Sequence, residues 1–280
     1  MTIEAHEKSR TTWNEMAPGW DHYQDYIWNT SKHVAGWLVD HADVREGETI
    51  LDVAGGPGDN GFLAAERVGP SGKVIETDFA PEMVEVARRR AAERGLHQVE
   101  TRVLDAQQMD LPSSAVDGVI CRWAFMLMLD PQTALKECRR VLKDGRTLAF
   151  SVWGRPEQNP WVTVSGMTMV QMGYEPGGDP FGPGGMFSMA DHDTIRSMVT
   201  AAGFQNVEIE EMPVHWTFES FDEAWDFIIT VAGAIAVLVK ELPEDEVARF
   251  RVALQENMKP FINPDGRIDE PGVTINVVAS

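Results

Sequence analysis

Cysteine is almost missing from this chain of 280 residues: only Cys121 and Cys138 occur. Two thiols are too few for a disulfide framework or a thiolate metal site, and a reducing, cytoplasmic compartment is the expectation that fits. Positive charge is scarce too. Against 44 acidic residues stand 24 lysines and arginines, and the formal net charge is −20. Up to Trp153 there are 17 basic and 24 acidic side chains, a net of −7; the remainder has 7 and 20, a net of −13. Nucleic-acid binding relies on Lys and Arg to neutralise phosphates. The one basic run, Arg88-Arg89-Arg90, lies in a helical pattern and reads as a solvated face. No nucleic acid and no anionic membrane is therefore expected as a partner. Long hydrophobic runs are absent as well: Phe227 to Val239 falls well short of the roughly 18 residues a membrane span needs. The N-terminal MTIEAHEKSR is polar, without the apolar core of a secretory signal. Seven histidines (His6, His22, His33, His41, His97, His192 and His215) include no pair with metal-ligand spacing, and no metal is expected.

Through the first 153 residues, short apolar runs alternate with helical patterns. Thr49–Ala54, Lys73–Asp78, Val99–Leu104, Val116–Cys121 and Thr147–Val152 read as strands. Pro81 suits the first turn of a helix in which Met83, Val86, Ala87 and Ala91 recur at helical spacing, and Gly95 ends it. Ala134, Leu135, Cys138, Val141 and Leu142 share one face between Pro131 and Gly145. Such alternation predicts βαβ units and an α/β fold, with a parallel sheet covered on both faces.

Beyond Trp153 the pattern changes. Five of the 16 prolines fall in residues 154–187, a stretch read as mostly loop with a Met-rich helix near Val162–Met172. A helix from about Asp191 to Ala202 and a strand near Asn206–Met212 follow. Ser220-Phe221-Asp222-Glu223 is a capping box that opens one apolar helix reaching about Leu238. Another helix starts at Pro243, and Val273–Ala279 reads as a last strand. The expected organisation is a core of 46–153, completed by 188–212 and 271–280. Residues 1–45, 154–187 and 213–270 form a cap, the last of them a helical insertion.

The strongest motif is Leu51-Asp52-Val53-Ala54-Gly55-Gly56-Pro57-Gly58-Asp59-Asn60-Gly61, between the first strand and a helix. Gly56, Gly58 and Gly61 satisfy G-x-G-x-x-G, and Asp78 lies 20 residues past Gly58 at the end of the second strand, where a carboxylate takes ribose hydroxyls. The pattern permits an NAD(P)-dependent oxidoreductase. Charge favours another cofactor: a pyrophosphate wants a helix N-terminus free of anions, whereas Asp52 and Asp59 suit the ammonium and sulfonium of S-adenosylmethionine. Asp105, ending the third strand, adds an acceptor for an adenine amino group. Each acid alone also reads as a loop cap; three at successive strand ends point to a cofactor.

These segments resemble class I S-adenosylmethionine-dependent methyltransferases, and Asp52-Val53-Ala54-Gly55-Gly56-Pro57-Gly58-Asp59 is most similar to the ubiquinone/menaquinone C-methyltransferase group. Glu76-Thr77-Asp78-Phe79-Ala80-Pro81-Glu82-Met83, Asp105-Ala106-Gln107-Gln108-Met109-Asp110-Leu111-Pro112 and Val116-Asp117-Gly118-Val119-Ile120-Cys121-Arg122-Trp123 extend the likeness over about residues 47–153. The resemblance implies a Rossmann-like, seven-stranded, mostly parallel sheet with an antiparallel last strand. It implies that Asp52, Ala54, Gly55, Gly56, Gly58, Asp78, Phe79, Met83, Asp105, Ala106, Arg122 and Trp123 bind the cofactor. Ala54, Pro57 and Asp144-Gly145-Arg146 depart from the commoner glycine, small residue and P-G-G. The large insertion before the last strand is also unlike the quinone enzymes, which bears on the substrate rather than the cofactor.

Methyl transfer from a sulfonium needs alignment and exclusion of water, and often only a weak base or none, so no spacing marks a catalytic residue. His215, Tyr23 and Tyr26 are the candidates for a base. Trp13, Trp20, Tyr23, Tyr26 and Trp28 form an expected aromatic lid. The acceptor is expected to be a small, neutral or apolar molecule, phenol-, quinol- or polyketide-like, methylated on carbon or oxygen. No N-P-P-[YF] motif follows the fourth strand, which disfavours nucleobase amino groups. Two alternatives stay open: the oxidoreductase, and a non-methylating protein that retains the cofactor. The apolar helix either walls the acceptor pocket or forms a homodimer interface.

Overall fold

The computed structural model describes residues 3–280. Two helices, α1 (Ile3–His22) and α2 (Gln24–His41), precede the alternating region. There follow β1 (Thr49–Asp52), α3 (Asp59–Val68), β2 (Lys73–Asp78), α4 (Pro81–Glu93), β3 (Val99–Val103), β4 (Val116–Arg122), α5 (Pro131–Val141) and β5 (Leu142–Trp153). The second half contributes α6 (Pro160–Gln171), α7 (His192–Ala201), β6 (Val207–Phe218), α8 (Phe221–Val231), α9 (Gly233–Glu241), α10 (Glu244–Asn257) and β7 (Ile268–Ala279). Local chemistry sets the starts. Pro81 occupies the first turn of α4, Asp130 caps α5 by accepting from Thr133 N (3.0 Å), and Ser220 Oγ accepts from Glu223 N (3.2 Å) at α8.

The strands join in the order β3-β2-β1-β4-β5-β7-β6. β1 through β5 pair in parallel, while β7 is antiparallel to both β5 and β6, so β7 alone runs against the other six. The expected α/β fold, with its seven-stranded, mostly parallel sheet and antiparallel last strand, is what the chain forms. Helices α2 and α3 pack over the strands of one face and α5 and α7 lie against the other side, which buries Ile50, Leu51, Val119, Ile120, Leu148 and Phe150 completely.

Three expectations need correction. β6 and β7 are 12 residues each and pair end to end, from Val207–Ala279 to Phe218–Ile268, so the segment inserted between them is 219–267 rather than 213–270. Pro213 and Pro271 do not interrupt the pair, because β6 is an edge strand and Pro271 lies past the Trp153–Thr274 pair where β5 ends. Proline is tolerated where one edge of a strand is free. The single apolar helix to Leu238 is two helices, broken at Ala232 and Gly233, whose φ is +41°. α5 stops at Val141 instead of running to Gly145, because Leu142 already begins β5 and Gly145 (φ +71°) sits in that strand.

The remaining segments gather on the carboxyl side of the sheet. α1 packs on α4 through Met16, Ala17 and Met83 and crosses α8 at Gly19, where a Cβ would lie 2.5 Å from Thr230 O. Asn159 ties α6 to β7: its Oδ1 accepts from Val273 N (3.0 Å) and Trp161 Nε1 (3.2 Å). Trp225 packs 5.4 Å from Phe250, joining α8 to α10, so the apolar surface of α8 is covered within the chain. Among the described residues no helix is long and apolar enough to cross a membrane. Residues 1 and 2 of the N-terminal segment lie outside the described residues.

Candidate functional site

β1 ends at Asp52, and the chain turns over the sheet edge through Ala54 (φ +51°), Gly56 (φ +58°) and Gly58 (φ +96°) into α3. A positive φ at a non-glycine residue is uncommon and marks over-determined backbone. Gly55 N–H donates to Thr77 O (2.8 Å), which hangs the loop on β2. Beneath it, Asp52 and Glu76 are neighbours in register. A Cβ on Gly55 would overlap Glu76 Oε1, and one on Gly61 would overlap Glu76 Oε2. The Glu76 carboxyl therefore occupies the space those two glycines leave.

The floor of the loop is a buried charge cluster. All four carboxyl oxygens of Asp52 and Glu76 are out of contact with solvent. Burial pushes both groups well above the usual carboxylate range, so the pair keeps a proton. Asp59 accepts from Arg90 Nη2 (2.7 Å), and Arg90 Nη1 donates to Pro57 O (2.6 Å). Arg122, ending β4, lies 3.6 Å from Asp59 and over the Trp123 ring at 5.0 Å. Its Nε and Nη1 are buried with no partner among the described residues.

Above the floor, the strand ends form a cleft. Asp78 Oδ2 accepts from Gly56 N (3.2 Å) and Oδ1 from Ala80 N (2.9 Å), and burial raises its pKa to about 6. A Cβ on Gly56 would meet nothing within 4 Å, so the loop faces open space there. Across that space, Asp105 Oδ1 accepts from Gln107 N (2.8 Å). His6 Nε2 of α1 lies 3.0 Å from Asp105 Oδ2, with its ring edge-on to Phe79 at 5.6 Å. Ala106 and Met83 are buried below, Met83 against α1. The structure thus brings Ala54, Gly55, Gly56, Gly58, Asp78, Phe79, Asp105 and Ala106 to one cleft, Arg122 and Trp123 to its end, and Asp52 beneath it. Unpaired guanidinium donors, a clasped Asp78 and a loop with free space above it fit an amino-acid carboxylate joined to a nucleoside, which is the outline of S-adenosylmethionine.

Past β4 a row of indoles follows. Trp123 (φ +58°) donates from Nε1 to Thr274 Oγ1 (2.8 Å) and stacks on Trp153 at 4.2 Å. Trp161 lies 4.7 Å from Trp153 and stacks on Trp216 at 4.6 Å. Tyr26 and Phe227 close the row, at 6.1 and 5.5 Å from Trp216. Of the expected lid, Tyr23 and Tyr26 both pack on Phe227, at 5.2 and 5.0 Å, while Trp13 pairs with Trp20 at 6.0 Å on the cofactor side. Trp28 takes part in none of these pairs.

The candidate bases fare differently. Burial raises the pKa of Tyr26 and, with Asp226 and Glu223 nearby, of Tyr23, so both phenols stay neutral at ordinary pH. His215 is not on the indole wall. It alternates with buried Trp216 along β6, bonds Asp269 (2.8 Å) and lines a groove of about 520 Å³ with Tyr26, Thr30, His33 and Glu223. Reading the sequence missed Glu76, Trp153 and Trp216 beside these residues. For Glu76 a signal existed: it precedes Asp78 by two, on the same side of one strand. Among the described residues no cluster of three His, Cys, Asp or Glu has metal-holding geometry.

A methyltransferase domain family matches residues 45–171. The ubiquinone/menaquinone biosynthesis C-methyltransferase of Ralstonia pickettii is 30% identical over 179 residues, covering 61% of this chain and 73% of that protein. The aklanonic acid methyltransferase of a Streptomyces species is 37% identical over 114 residues, 41% of this chain and 52% of that one. In three dimensions the YcgJ protein of Bacillus subtilis superposes with a TM-score of 0.58 at 21% identity, covering 89% of this chain and 97% of that chain. The oxidoreductase reading of Gly56 to Gly61 falls with these likenesses.

Proposed function

Because this chain belongs to the class I S-adenosylmethionine-dependent methyltransferases, we propose that it methylates a small, neutral or apolar acceptor of the phenol, quinol or polyketide class, on oxygen or carbon. The observation that carries the reading is the indole wall. Trp123, Trp153, Trp161 and Trp216 stack into one apolar row past the carboxyl ends of β4 and β5, Trp161 half-buried and the other three buried, in the region where ligands of open α/β sheets bind. The net charge of −20 disfavours polyanionic acceptors. The names of the relatives, quinone and aklanonic acid enzymes, point the same way.

In this reading Asp78 accepts from the ribose hydroxyls, Asp105 from the adenine amino group, and Arg122 donates its free N–H groups to the amino-acid carboxylate. Asp52 acts from below, through Glu76 and the loop. The cofactor, when bound, supplies an electrophilic methyl group on a sulfonium. The chain's own residues orient and dry the site: α1 closes the nucleoside end through His6 and Trp13, and the indoles hold a flat acceptor while excluding water. Residues 1–45, 154–187 and 219–267 serve as cap over a core of the remaining strands and helices. The buried thiols of Cys121 and Cys138 fit a reducing, cytoplasmic setting.

The test is a panel of phenols, quinols, amines and carboxylic acids incubated with protein and S-adenosylmethionine, with product mass read for gain of one methyl group. Methylation of phenols or quinols is expected. Methylation of amines or acids alone would overturn the acceptor class, and cofactor binding without any product would favour a protein that retains the cofactor without transferring its methyl group.

A further inference from the structure

Glu270 is a carboxyl with no counterpart in the cofactor cleft. It is 2% exposed. Of the other four buried carboxyls, Asp59 bonds Arg90 and Asp78 accepts from two backbone N–H groups, while Asp52 and Glu76 face each other across β1 and β2 beneath the glycine loop, their four oxygens without a hydrogen-bond partner among the described residues. Glu270 makes no ion pair or side-chain hydrogen bond among the described residues, and burial alone raises its pKa, to about 8. A buried acid without a partner is costly, and its position shows what could partner it. It pairs across the ladder with Trp216, so the two side chains leave the same face of the sheet. Trp216 Nε1 is itself buried with no acceptor. One position along the same face, Gly272 leaves room for Trp161, whose Cδ1 would lie 3.0 Å from a Cβ there. An orphan donor and an orphan acid thus stand side by side on the indole wall.

Resting on the acceptor class proposed above, we propose that Glu270 is the general base of methyl transfer and that Trp216 Nε1 holds the acceptor oxygen beside it. Ionised Glu270 takes the hydroxyl proton of a phenol or enol as the acceptor's oxygen, or its conjugated carbon, forms a bond to the methyl carbon. The methyl–sulfur bond breaks with its electron pair staying on sulfur, and the proton passes from Glu270 to solvent. Methylation at carbon ends with loss of the ring proton to water and return of one proton to the oxygen, so that a single proton is released overall. The titratable group facing Glu270 is Tyr26 of α2, a neutral phenol whose own pKa is raised in part by Glu270; from α6, β6 and α8 come Trp161, Trp216 and Phe227, which carry no charge.

Glu270→Gln keeps shape and removes the base. Its kcat toward a phenol or quinol should fall about a hundredfold or more, with cofactor affinity by calorimetry unchanged. The rise of rate with pH below about 8 should flatten. Trp216→Phe should raise KM more than it lowers kcat. A readout without turnover is the tryptophan fluorescence of the cofactor-free protein, which should titrate near pH 8 in the parent and lose that step in Glu270→Gln. A Glu270→Gln enzyme that keeps kcat and pH profile would overturn this role while leaving the acceptor class standing. A parent enzyme that methylates no phenol, quinol or enol would overturn the acceptor class and this role with it.

Discussion

At the glycine loop, one carboxyl dictates which residues are allowed around it. Glu76 reaches up between Gly55 and Gly61, and a methyl group at either position would overlap its oxygens. Gly61→Ala should therefore lower stability by about 1–3 kcal/mol, the range for overpacking, seen as a lower urea midpoint. Gly61→Ala combined with Glu76→Ala should recover part of that loss, and an additive double mutant would show that the two do not meet. Asp78→Ala removes an acceptor from the cleft, and its cofactor affinity by calorimetry should weaken by about 1.5–3 kcal/mol, the worth of hydrogen bonds to a charged group. Stability should also depend on pH in a definite direction. Asp78 and Glu270 titrate at about 6 and about 8 in the folded chain, against about 3.9 and 4.3 when unfolded, and burial moves Asp52 and Glu76 the same way. From about pH 4 upward through pH 8 the folded state binds more protons than the unfolded one, so stability falls as pH rises through that window. Glu100 works oppositely, held down to about 2 by Arg102 and Lys73, but its contribution is lost only as pH falls below about 4. A higher urea midpoint near pH 5.5 than near pH 8 is expected, with the gap narrowed in Glu76→Gln.

Among the elements, α1 links the two halves of the cleft. Its N-terminal turns bring His6 to Asp105 and Phe79, and its Gly19 lets the backbone touch α8 at Thr230. Gly19→Val should lever α1 from α8. Trypsin should then cut faster at Lys8 and Arg10, and cofactor should protect these sites less well than in the parent; unaltered cleavage would mean that the crossing tolerates a side chain. Strands β1, β2 and β4 and the second half of β5 were legible as largely apolar runs because both faces of a parallel sheet are covered there. The far ends of β6 and β7 were not. Val214, Trp216 and Phe218 do alternate with exposed residues, but Pro213 and Pro271 mask that alternation until the free edges of the two strands are known. The break between α8 and α9 was hidden by composition, since an apolar segment shows no period at which a fault could appear.

For the whole molecule, ligand linkage gives the cleanest check of the cofactor. S-adenosylmethionine at a hundred times its Kd should add about 2.7 kcal/mol, a rise in Tm of roughly 5–10 °C at this chain length, while NADH should leave Tm unmoved. A shift with NADH instead would reverse the assignment of the glycine loop. The strand–helix alternation, the loop from Asp52 to Gly61 and the acids Asp78 and Asp105 at successive strand ends were all present in the linear order, because βαβ units and their turns are encoded over short stretches. Partnerships between distant residues were not. Asp52 meets Glu76 only because β1 lies beside β2. Trp123, Trp153 and Trp216 meet because the crossover order sets β5 and β7 between β4 and β6. Glu270 looks like any solvated acid near a turn until β7 is seen to extend past β5 and lie beneath α2 and Trp216. Local pattern decides which side chains point inward; only the order and register of the strands decides which of them share a cleft, and that order is a property of the closed sheet rather than of any segment in it.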